Sequence, residues 1–319
     1  MSQIRVRIKW QVLRTRLYLE RLPLKAFVLP TVIFGLTCMS FVSYYQLFWN
    51  TDFWQQWNVA GGNAFHFCES NHMNQLIRQP SNTWSNLAYL LVGLFALTLG
   101  VHDMKYSERK SSDNFLVRYP IFSIVFGISA LYLFIGSFMF HASLTTTFQH
   151  LDQTGLYSVI VIILAFNFYK IFPLIRFKKG YRSSHGWMIV FALLFNVLIY
   201  TKLWLINVNV LFPILILIVF LSSLYYLLFV SKEHYFTNYM WAALTSLLLA
   251  GIIWLLDRTN VVCNPESIFQ GHALWHILTA VSILFIYLYY RSGTVPVQYT
   301  LALHQQRRDQ RLARRSSAL

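Results

Sequence analysis

Charge is scarce in this chain: Asp, Glu, Lys and Arg make up 12% of its 319 residues, against 56% hydrophobic. About a quarter of a soluble globule's residues are charged, so that class is excluded. Segments alternating apolar and polar residues at period two are also lacking, which excludes a transmembrane barrel. No Asn-x-Ser/Thr acceptor with an allowed middle residue occurs. That suits a bacterial inner membrane and a eukaryotic endomembrane equally.

Long apolar runs are what the chain does have. Eight stand out, at 26–48, 83–101, 119–141, 152–175, 186–204, 208–230, 236–256 and 270–290. Each can cross a bilayer as a helix, which takes about 20 residues. The expected fold is an all-α polytopic membrane protein. Its parts are a basic amphipathic leader over 1–25, a first helix over 26–48, a membrane domain over 65–292 and a basic tail over 293–319. The first run is longer than a signal-peptide core and no small-x-small site follows it, so it reads as an uncleaved anchor.

The net charge of +15 is distributed by topology. Of the 26 Lys and Arg, 23 fall before the first run, after every second run and in the tail; only Arg78, Lys202 and Arg258 fall in the alternate loops. Positive-inside asymmetry then places both termini in the cytoplasm. Charge placed this way is topogenic, so nucleic acid is not an expected partner; the leader suits an anionic leaflet. Cys38 lies inside the first run. Cys68 and Cys263 both fall in loops on the non-cytoplasmic side, where a disulfide can persist. Two separate thiols is the alternative.

Polar groups gather at that same side. "GSFMFHASLTTTFQHLDQTG" (136–155) joins the third and fourth runs, and "FQGHALWHILTA" (269–280) opens the eighth. His272 and His276 are four apart, so a helix points both to one face. A third histidine from another helix completes an open His₃ zinc site with water in the fourth position. Ser137 and His141 share that spacing at the end of the third run. Asp152 is then a candidate proton acceptor and Ser137 a candidate oxyanion donor. A histidine pair can also ligate haem, but that leaves Ser137 and Asp152 without a task. Asp257 reads as a helix-end group or a partner for a ligand histidine. His66, His72 and His150 lie on the same side without paired spacing.

Taken together, "CESN" (68–71), "NTWSN" (82–86), "GSFMFHASL" (136–144), the aspartate of "HLDQ", "WLLD" (254–257) and "HALWHILTA" (272–280) resemble the alkaline ceramidase family of the CREST superfamily. The resemblance implies a seven-helix bundle, to which the first run adds an extra helix. It also implies a zinc-dependent hydrolase of ceramide or a related lipid amide. His141, His272 and His276 become the zinc ligands, with Ser137 and Asp152 acting on water. Glu69 and Asn71 become calcium candidates, although His66 and Gln79 stand where the family carries acidic residues. Calcium favours several hard oxygen ligands, so that substitution counts against the site. Two other branches of the superfamily remain as alternatives: lipid ester hydrolases that remodel glycolipid anchors, and zinc-containing receptors resembling progestin/adipoQ receptors.

Overall fold

The computed structural model describes residues 22–61, 67–105, 114–177, 180–202, 208–231 and 234–294. Most of the basic leader, His66 and the tail beyond 294 lie outside the described residues. Most of the apolar sequence becomes helix: α1 (Lys25–Phe48), α2 (Pro80–Ser85), α3 (Leu87–Lys105), α4 (Phe115–Arg118), α5 (Ile121–Ser143), α6 (Thr146–Ile171), α7 (His185–Lys202), α8 (Val208–Tyr225), α9 (Thr237–Arg258) and α10 (Gly271–Ser292). Among the described residues seven helical segments are long and apolar enough to cross a membrane, with α2 and α3 counted as one segment and α8 extended by a π-helical turn to Val230. Helix α7 is apolar but shorter. In hydrocarbon every backbone polar group must be satisfied within the segment, and a helix does this. The chain is an integral, multi-pass membrane protein.

Helix α6 is central, with its run from Tyr157 to Phe166 buried. Helices α5 and α6 approach closely because Gly136 has no side chain. A Cβ there would meet Leu151 C and O at 2.6 Å and Asp152 N at 2.8 Å. Small residues let membrane helices pack backbone to backbone in this way. Here the contact also fixes Asp152 beside the turn that carries Ser137. Helix α1 packs on the bundle through aromatic rings, Phe41 against Phe138 at 5.0 Å and Tyr45 against Trp84 at 6.0 Å. Its opposite face, including Leu36 and Met39, is exposed, as a lipid-facing helix requires.

Two differences from the sequence reading have physical causes. Helix α6 begins at Thr146 rather than Asp152. The polar stretch "TTFQH" continues the helix beyond the apolar run, so Asp152 lies inside α6 and not at its mouth. Between α6 and α7 a short antiparallel hairpin pairs β1 (Leu174–Phe177) with β2 (Gly180–Ser183). At four residues per strand, no apolar period marks it.

The end of the bundle holding residue 141 is tied down by long-range contacts. Cys68 and Cys263 form a disulfide across 195 residues of sequence. Asp257 at the end of α9 accepts from the backbone N–H of Cys68 at 3.3 Å and of His272 at 3.2 Å. It is therefore the helix-end group, capping α10 and holding the disulfide segment on it. On the chain-entropy estimate a loop this long contributes about 5 kcal/mol. Replacing both cysteines by serine is expected to lower the thermal midpoint by several degrees more than Cys38→Ser does. Unreduced mass spectrometry showing Cys68 and Cys263 both as free thiols would contradict the pairing.

Candidate metal centre

Helix α5 ends at His141, Ala142 and Ser143 because Leu144 adopts a left-handed backbone, φ 50°. The last carbonyls of a helix have no partner within it. Here the segment before α2 supplies the donors. Arg78 N donates to Ala142 O at 3.0 Å, Gln79 N to His141 O at 3.1 Å and Arg78 Nη1 to Ser143 O at 2.7 Å. Arg78 is held in turn by Asp52 at 3.1 Å. The carboxylate comes from the segment that joins α1 to the bundle.

His141, His272 and His276 are all buried, and their ligand atoms lie within 4.8 Å of one another. Ring centroids stand 5.0 Å apart from His141 to each of the others, and 4.5 Å apart between His272 and His276. Hydrogen bonds set two tautomers. His141 Nδ1 meets Gln79 Oε1 at 2.7 Å, an atom that can only accept. His276 Nδ1 meets Ser85 Oγ at 2.8 Å, whose own proton goes to Asn82 O at 2.9 Å. Both Nδ1 atoms therefore carry the hydrogen, leaving each Nε2 with a free lone pair. His272 stacks on Phe67 at 3.7 Å, and its Nδ1 meets no partner among the described residues.

The donor set fits a metal. His141 Nε2 and His272 Nε2 face each other at 3.3 Å. That spacing admits either a shared cation or an Nε2–H hydrogen bond donated by His272. Two nitrogens at about 2.0–2.1 Å on a tetrahedral ion stand about 3.3 Å apart. The three-histidine group can hold a metal ion.

One turn before His141, buried Ser137 hydrogen-bonds the partly buried Asp152. Tyr89 reaches Thr279 Oγ1 at 2.5 Å, with its ring 6.1 Å from that of His276 and within electrostatic reach of Asp152. Ser137 and Asp152 thus lie one turn from His141. His150 does not join it: its ring faces Tyr200 at 6.4 Å. His72 donates its backbone N–H to Arg78 O at 2.9 Å and remains in the loop.

Glu69 and Asn71 are occupied otherwise. Glu69 Oε1 accepts from Ser81 N at 2.6 Å and Oε2 from Asn82 N at 2.9 Å, a carboxylate at a helix start. Burial pushes its carboxyl above the usual range, against the lowering by those two N–H groups. Asn71 Oδ1 accepts from Gln79 Nε2 at 2.7 Å. Gln79, Ser85, Tyr89 and Phe67 contact the histidine rings and Arg78 holds the end of α5, roles that no residue spacing announces. "NTWSN" contains Ser85, but the segment carrying Arg78 and Gln79 has no metal-ligand spacing to attract notice.

No curated protein matches the chain significantly. A family model described as Ceramidase matches residues 63–309, from the disulfide-bearing loop past the end of α10. Helix α1 and Asp52 lie outside the matched residues, and the three histidines, Ser137 and Asp152 lie inside. Matched over most of its length, the chain belongs to the ceramidase family.

Proposed function

We propose that the chain is a zinc-dependent intramembrane amidohydrolase that cleaves ceramide or a close relative to a sphingoid base and a fatty acid. One observation carries this reading: three buried histidines with converging Nε2 atoms lie near a hydrogen-bonded serine–aspartate pair. Membership of the ceramidase family supports amide hydrolysis and a lipid substrate. Three neutral imidazoles suit zinc, and His141, His272 and His276 are its ligands in this reading. Zinc, when bound, supplies Lewis acidity, polarising a carbonyl and making water nucleophilic near neutral pH.

The chain's own groups do the rest. An Asp152 carboxylate oxygen takes the proton of the attacking water and returns it to the amine nitrogen as the C–N bond breaks. In the resting arrangement Ser137 orients that carboxylate. Once Asp152 carries the proton it can donate to Ser137 Oγ, and the serine hydroxyl is released to meet the developing oxyanion. The apolar walls of the bundle hold the lipid chains. Product analysis with purified protein and matched lipid amides and esters tests the reading. Fatty acid and free sphingoid base from the amide support it; turnover of esters alone, or of neither, overturns it.

The same reading assigns orientation and domain limits. Both termini face the cytoplasm, and the metal centre with its disulfide faces the opposite side. The 23-to-3 division of Lys and Arg supports this, as does the even number of apolar helices among the described residues when α7 crosses. The leader and α1 are an addition to a membrane domain over 65–292, with the tail from 293 onward. Impermeant thiol labelling of single-cysteine variants in intact cells is expected to leave a residue near 310 unlabelled and to label one near 264. The reverse pattern would move the centre to the other leaflet.

A further inference from the structure

We propose that the Gln79 amide replaces, in this chain, the calcium that the family resemblance implies, so that the metal centre works without calcium. The inference rests on the reading of the three histidines as a metal site through their Nε2 atoms. From that point the sequence of donors and acceptors is forced. His141 presents Nε2 to the centre, so its Nδ1 must donate, and Gln79 must offer its oxygen, at 2.7 Å. The Gln79 NH₂ group is then turned the other way and donates to Asn71 Oδ1 at 2.7 Å. The amide also receives Asn82 Nδ2 on its oxygen at 3.3 Å. It is fully buried.

Calcium takes six to eight oxygen ligands. The oxygens here already face N–H donors: both of Glu69 meet the start of α2, and that of Asn71 meets Gln79. A cation could enter only by breaking those bonds. One acceptor in the cluster, Asn82 Oδ1, meets no donor among the described residues, and a single oxygen does not make a calcium site. The residues described here therefore do not fit calcium. Yet the connection a cation would make is present. The segment 68–71 is anchored by the disulfide and by Asp257, and Gln79 links it to the ring of His141 through neutral hydrogen bonds. Gln79 is a positioning residue: it fixes the tautomer and ring angle of a ligand without touching the metal.

The test uses the full-length protein in detergent. Zinc content of the wild type is measured first, then the thermal midpoint as calcium is added to calcium-free buffer. The wild type is expected to hold zinc and to show no shift with calcium. Gln79→Glu, which sets a carboxylate beside Asn71 and Glu69, is expected to gain several degrees with calcium. Gln79→Ala is expected to hold zinc about 10–100-fold more weakly in competition with a graded chelator. A wild type stabilised by calcium overturns the proposal. So does a Gln79→Glu variant indifferent to calcium, or a Gln79→Ala variant holding zinc as tightly as the wild type. A wild type without zinc contradicts the metal reading instead, so the two failures are distinguishable.

Discussion

Replacing His141, His272 or His276 by alanine is expected to remove the metal and lipid hydrolysis together. Each ring supplies one of three converging nitrogens, and no other His, Cys, Asp or Glu joins this group among the described residues. Two imidazoles with two open positions hold zinc far more weakly than three. Hydrolysis should fall to background, since the Lewis acid leaves with the ion. His150→Ala is the control, because that ring faces Tyr200 and not the centre. It should retain both metal and turnover. Metal analysis of the four purified variants checks this, and a turning-over His272→Ala protein would contradict the ligand assignment.

Asp152→Asn is expected to part the two properties. Asparagine keeps the size of the side chain and an oxygen for Ser137, so the packing of Gly136 on Leu151 and Asp152 survives. It cannot take a proton from water. The variant should hold the metal as the wild type does and lose about 10²–10⁴-fold in rate, the range of a general acid–base group. Ser137→Ala leaves the carboxylate without its orienting partner and should cost about 10²-fold, again with the metal kept. Wild-type rates from Asp152→Asn would refute the mechanism.

These variants follow from a sequence in which the membrane helices were easy to see and their supports were not. Helix α1 appears within one residue of its apolar run, because hydrocarbon imposes helix on any such run. The start of α6 was harder. Its first two turns are polar, and hydropathy marks only the part inside the bilayer. The two histidines four apart on α10 advertise a shared face, whereas His141 needed the helix directions to be brought to them. Gln79 and Arg78 were illegible as supports. Their task is to pair with the carbonyls and the ring at the end of α5, and such a task leaves no period or spacing in the chain. Glu69 shows the reverse: the family resemblance made it a calcium candidate, while both its oxygens accept from the start of α2.

One metal ion on His141, His272 and His276 is expected to support cleavage of a lipid amide. Metal-stripped wild-type protein, titrated with zinc while fatty acid release from ceramide is followed, tests it most directly. Rate and bound zinc are expected to rise together and level off at about one ion per chain. Undiminished release from the stripped protein, or one zinc bound with no release from ceramide, would contradict it.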